Sequence, residues 1–125
     1  SEAARKADSE SARRDQVLLE TYTSVEEIER TRERHLERIQ GEIGLAEHRL
    51  RRARSKIEQY DDLLEELPED SEYRPEMKRQ RKEAISKLEQ RKETLESLRD
   101  RRERLEQRFS EDIARFRELE SDDGS

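Results

Sequence analysis

Ten apolar side chains, spaced alternately three and four residues apart, constrain this chain more than any other feature. Leu36, Ile39, Ile43, Ala46, Leu50, Ala53, Ile57, Tyr60, Leu64 and Leu67 make an unbroken heptad seam. A stripe that repeats every 3.5 residues stays on one side of an α-helix only when that helix supercoils left-handedly about a partner. A second stripe follows with the same spacing and more polar members: Met77, Arg81, Ala84, Leu88, Arg91, Leu95, Leu98, Arg102, Leu105, Phe109, Asp112, Phe116 and Leu119.

Composition agrees with a narrow seam and excludes a thick core. Charged residues are 50% of the 125, the hydrophobic set 28% and the aromatic set 4%, against roughly half apolar and a quarter charged in an ordinary globular domain. Such an inventory leaves either disorder or long helices with one apolar stripe each. The heptad period selects the helices.

Pro68 and Pro75 bracket the one clear interruption, the polar stretch EDSEYR. Proline removes a backbone donor and clashes with the preceding turn, yet is accepted in a helix's first turn. One helix is therefore expected to end near Leu67 and the next to begin near Arg74 or Pro75. A short connection makes the two antiparallel neighbours. The expected fold is all-α: a long antiparallel helical hairpin, with arm 1 over about 24–67, a tip at 68–74 and arm 2 over about 75–120, in a single domain of residues 11–120. Folding back about residue 71 sets Ile57 beside Ala84 and Ile85, Ala46 near Leu98 and Leu36 near Leu105. It also brings Arg32 level with Asp112, two charged seam positions expected to pair and fix the register.

The amino-terminal stretch admits two readings. Ser24 followed by Glu27 matches a capping box and marks a helix start, with a short extra helix before it. Leu18, Tyr22 and Val25 also keep the heptad phase, which suits one continuous helix. Residues 1–10 are expected to fray and 121–125 to be a disordered tail. Apolar residues are in surplus at this end: Val17, Leu18, Leu19, Tyr22, Val25 and Ile28 face Phe109, Ile113, Phe116 and Leu119. A broader local core is the simpler explanation. Leu18, Leu19, Tyr22, Val25, Ile28, Phe109, Ile113 and Phe116 also make a candidate self-association surface, and a weak homodimer is expected through it.

Nothing in the sequence calls for catalysis. Cysteine is absent, which removes disulfides and thiol nucleophiles. His35 and His48 are thirteen apart, off the seam and not at ligand spacing. Carboxylates are abundant, but an acid–base pair needs a partly desolvated pocket to separate two pKa values, and a two-helix hairpin offers none. No enzyme activity, metal or cofactor is expected. No apolar run approaches the roughly 18 residues of a membrane span. The sequence opens at Ser1 and not at methionine, so a processed or excised chain is expected, with any export signal already removed.

Charge is uneven although the formal net value is a modest -6. Asp61, Asp62, Glu65, Glu66, Glu69, Asp70 and Glu72 make the tip acidic. Arg49, Arg51, Arg52, Arg54 and Lys56 cluster on arm 1, level with Lys87, Arg91 and Lys92 on arm 2, as a candidate basic belt. The belt suits phosphate backbones, anionic headgroups or the acidic tip of a neighbour. Interleaved acids and the lack of an aromatic platform for bases make nucleic acid an unexpected partner. Gly41 and Gly44 lie on the outward face, where each costs about 1 kcal/mol relative to alanine.

Two segments carry a resemblance. RRDQVLLETYTSVEEIERTRERHLERIQGEI, from Arg13, and RFSEDIARFRELE, to Glu120, resemble a group of proteobacterial envelope coiled-coil proteins. Their helical hairpin follows an R-D-x-x-L-L-x-T-Y-x-S-x-E-E-I-E opening. The resemblance spans residues 13–120 and implies a periplasmic or secreted setting without enzymatic activity. The expected function is a structural or scaffolding coiled coil that binds protein partners. A holdase-like chaperone and an anionic-polymer binder are the alternatives.

Overall fold

The computed structural model describes residues 1–123. Three helices follow in order: α1 (Glu2–Thr21), α2 (Val25–Glu66) and α3 (Arg74–Asp123). The fold is all-α, a helical hairpin of α2 and α3 preceded by a shorter helix.

Local chemistry sets each boundary. Ser1 caps α1, its Oγ accepting from the Ala4 amide at 3.1 Å. At the other end the Tyr22 backbone turns extended, at φ -125° and ψ 145°, while its N–H still bonds Leu18 O. The α2 cap is a capping box displaced by one residue. Ser24 Oγ accepts from the Glu27 amide at 3.1 Å. The Glu27 carboxylate reaches back to Thr23, accepting from its amide at 2.8 Å and its hydroxyl at 2.6 Å. Orphan donors at a helix start are thereby satisfied, and of the two readings of this region the break is the one found.

The tip is closed by Arg74, expected only as a helix start. No basic residue stands in the last turn of α2, yet its carbonyls are capped. Arg74 Nη1 donates to Leu64 O at 2.7 Å and to Leu67 O at 3.0 Å. A cation at a helix C-terminus also complements the helix dipole. Tight bonds from Ser71 N to Pro68 O and from Arg74 N to Ser71 O complete the turn.

The chain divides into two compact units: Ser1–Arg38 with the chain from Arg102 on, and Ile39–Arg101. In the second unit α2 and α3 run antiparallel. Ion pairs Asp61–Arg81, Glu47–Arg99 (3.7 Å) and Glu42–Arg101 (3.8 Å) join them in reverse order and place the fold-back near residues 71–73. Ile39, Ile43, Ala46, Leu50 and Leu95 are buried. Toward the tip Ala53, Ile57, Tyr60, Leu64 and Leu67 are only half-buried, because a two-helix layer leaves the flanks of the seam open to water.

The first unit has three helices. Leu18 of α1, Val25 and Ile28 of α2, and Phe109, Ile113 and Phe116 of α3 form one buried cluster. Tyr22, Leu105 and Leu119 pack around it, and Ile28 is wholly inaccessible. The apolar surplus read from the sequence is consumed here by α1 packing back. Six of the eight residues nominated for self-association are interior, and only Leu19 stays exposed, at 43%. They form a core and not a free surface, which removes the basis for a homodimer through them.

Further expectations are corrected. Residues 2–10 lie in α1, although every side chain from Ser1 to Arg14 is exposed. Residues 121–123 continue α3, and 124–125 lie outside the described residues. Arg32 and Asp112 do not form the expected pair. Arg32 Nη2 bonds its neighbour Glu33 at 3.3 Å, and the charges acting on Asp112 are Arg108 and Glu111.

Candidate functional site

In the second unit the stripe of α2 carrying Arg49, Arg52, Ala53, Lys56 and Tyr60 faces that of α3 carrying Arg79, Gln80, Glu83, Ala84, Lys87 and Arg91. Together they line an open groove of about 560 Å³. Its shape follows from residue size. Ala53 and Ala84 occupy seam positions where leucine would fill the space, so the floor sinks and long basic side chains rise on both sides.

The groove is cationic and largely uncompensated. Six of its side chains are basic and one, Glu83, is acidic. Arg79 is committed to Glu83 and to Glu76, whose carboxylate it meets at 2.6 Å. Those bonds hold Glu76 down to about 2, first through Arg79 and then through Gln80. Lys56 Nζ lies 5.9 Å from the centre of the Tyr60 ring, a cation–π arrangement. Arg49, Arg52, Lys87 and Arg91 have no carboxylate within ion-pair distance among the described residues. Four unpaired cations around an alanine floor can hold carboxylates or phosphates of an extended partner.

The basic belt read from the sequence is thus divided. Arg49, Arg52, Lys56, Lys87 and Arg91 come together. Arg51 and Arg54 are exposed but do not line the groove, since a helix turns them off its stripe. Lys92 also lies outside it and bonds Glu89 at 3.4 Å. Proximity in sequence grouped residues that helical spacing separates. Arg79, Gln80 and Tyr60 were missed, although steps of three and four from Lys87 and Lys56 would have found them.

Elsewhere the chemistry is structural. His35 packs against Phe109 with ring centres 5.5 Å apart and planes tilted by 55°. In the first unit a cleft between α1 and α3 is lined by both charge signs, including Arg14, Asp15, Arg104, Asp112 and Arg115. Asp15 and Arg115 neutralise one another there. Burial raises Tyr22, with the nearby Asp112 charge adding to it. No group of three or more His, Cys, Asp and Glu residues suited to a metal occurs among the described residues. No helix among the described residues is long and apolar enough to cross a membrane. Comparison with protein-family models, with curated proteins and with solved structures finds no match for this chain.

Proposed function

We propose that the chain is a non-catalytic scaffolding coiled coil that docks acidic protein segments in the groove of its hairpin. The observation carrying this reading is the quartet Arg49, Arg52, Lys87 and Arg91, unpaired around Ala53 and Ala84. Unpaired cations on a rigid two-helix face give orientation and encounter rate to a complementary partner. The alanine floor supplies an apolar contact that a bare charge patch lacks. The opening and closing motifs support placing the protein in the bacterial envelope.

A holdase needs an accessible apolar inner face. Here most of the large apolar residues are interior or in the seam, and the exposed ones, Val17, Leu19, Leu45, Leu63 and Tyr73, make no continuous inner face, so the geometry favours it less. An anionic polymer is the second reading, supported by the same quartet and opposed by the net charge of -6. A photo-crosslinking residue at Ala84 tests docking directly. Cross-links to an acidic protein that disappear when Arg49, Arg52, Lys87 and Arg91 are changed to glutamine are the expected result. Cross-links indifferent to those changes overturn it.

A further inference from the structure

Charge is segregated within the second unit itself. The tip carries exposed Asp62, Glu65, Glu66, Glu69, Asp70 and Glu72, while the unpaired groove cations nearest to it, Arg52 and Lys87, lie ten or more residues away along the chain. Leu63 and Tyr73 are also exposed at the tip, at 44% and 63%. On α2 the groove stripe 49, 52, 56, 60 continues in steps of three and four to Leu63 and Glu66, so groove and tip share one face. On α3 the stripe 91, 87, 84, 80 continues to Glu76, and Tyr73 lies in the turn just before that helix. An acidic surface with two bulky apolar side chains and a basic surface with a small-residue floor therefore lie side by side on one molecule. They are too far apart to meet within it, since Arg52 and Glu66 are separated by about 20 Å of helix.

We propose that the groove's occupant is the acidic tip of a second copy of this chain, in an antiparallel, two-fold symmetric dimer of hairpins. The proposal deepens the docking function above and depends on it. Antiparallel overlap sets Arg52 of each copy against Glu66 of the other, Lys56 against Leu63 and Arg49 against Glu69 and Asp70. Both contacts form at once, so the association closes at two copies and does not propagate. The axis passes near Tyr60 and Ala84, where the sunken floor permits close approach. A free polyanion would use the cations but leave Leu63, Tyr73 and the alanine floor without a role.

Sedimentation of the purified chain tests this. Dimers are expected at ~0.05 M salt, with affinity falling roughly tenfold or more by ~0.5 M as the charges are screened. The groove reversal Arg49→Glu/Arg52→Glu/Lys87→Glu and the tip reversal Glu66→Lys/Glu69→Lys/Glu72→Lys should each be monomeric at low salt, with helicity checked by circular dichroism. Mixed together they should form a heterodimer, because every groove–tip contact then joins opposite charges. With no cysteine in the chain, Tyr60→Cys should cross-link to itself across the axis at low salt. A wild type monomeric at ~0.05 M salt, a dimer indifferent to either reversal, or a mixture that stays monomeric overturns the proposal. If Ala84 cross-links to another acidic protein while the purified chain stays monomeric, the self-docking proposal fails and the docking function survives. If neither association occurs, both fail.

Discussion

Asp15 and Arg115, a hundred positions apart in sequence, meet side-on. Arg115 Nε donates to Oδ1 at 2.8 Å and Nη2 to Oδ2 at 2.7 Å. Two parallel bonds from a rigid guanidinium fix direction as well as proximity. Arg115 also holds Glu118 on its own helix at 2.7 Å, so the fork is pre-aimed. Leu18 is the only buried residue of α1, which leaves this pair and the Leu18 contact to keep α1 against α3. Asp15→Asn should loosen α1 selectively. Amide protection over 15–22 should fall while that over 39–66 is unchanged, and uniform loss across both regions would argue against a clamp.

Acid should release the same helix. Hydrogen bonding to Arg115 lowers the Asp15 carboxyl, bonds from Thr23 lower Glu27, and Arg79 lowers Glu76 to about 2. A carboxyl depressed on folding stabilises above its unfolded value, roughly 4, and that contribution is lost as pH falls through the folded value. Helix content should decline between about pH 4 and pH 2. Asp15→Asn should blunt the loss over residues 15–22. Helicity that rises on acidification to pH 2 would contradict the assignment.

The seam made the hairpin legible because side chains at Leu36 through Leu67 must share one face whatever they pack against. Pro68 and Pro75 located the tip for an equally local reason. What stayed hidden was long-range or depended on side-chain reach. Arg74 caps α2 from beyond the turn, and Asp15 finds Arg115 across the fold. Helix α1 was half visible: Ser24 and Glu27 signalled its boundary, but Leu18 and Tyr22 fit a continuous seam equally well. At the groove, clustering in sequence misled, since Arg51 and Arg54 point away from the stripe of Arg49, Arg52 and Lys56.

Ile28 should be the most sensitive core position. Among the described residues it alone of the large side chains is fully buried, within the six-residue cluster shared by three helices. Ile28→Ala removes buried methylenes and leaves a cavity, a change costing about 2–5 kcal/mol. Leu64→Ala, at a half-buried position of the two-helix seam, removes less area from water and should cost less. Urea titrations of the two variants check the order, and equal losses would mean α1 adds little packing.

Gly41 and Gly44 should tolerate side chains with a gain in stability. Both lie inside α2, and a Cβ built on either meets nothing within 4 Å. Close packing therefore does not require glycine at either position. Alanine should stabilise by about 1 kcal/mol at each, roughly additively. A raised melting temperature for Gly41→Ala/Gly44→Ala checks this, and a fall would reveal a contact with another molecule or a required bend.

Asp112 holds a seam position between Phe109 and Phe116, where desolvation raises its carboxyl, Arg108 pulls it back and Glu111 adds to the rise. Its sign is opposite to that of Asp15. A carboxyl whose folded value lies above its unfolded one binds protons more readily in the native state, so folding loses stability as pH rises through that range. At neutral pH the partly desolvated charge is a cost. An asparagine side chain in its place carries no charge, has nearly the same size and a similar helix propensity. Asp112→Asn should therefore raise the urea midpoint at pH 7 and bring little change at about pH 3, where the wild-type carboxyl is itself protonated. A variant less stable at pH 7 would mean that the attraction of Arg108 outweighs desolvation, and that the seam depends on this charge.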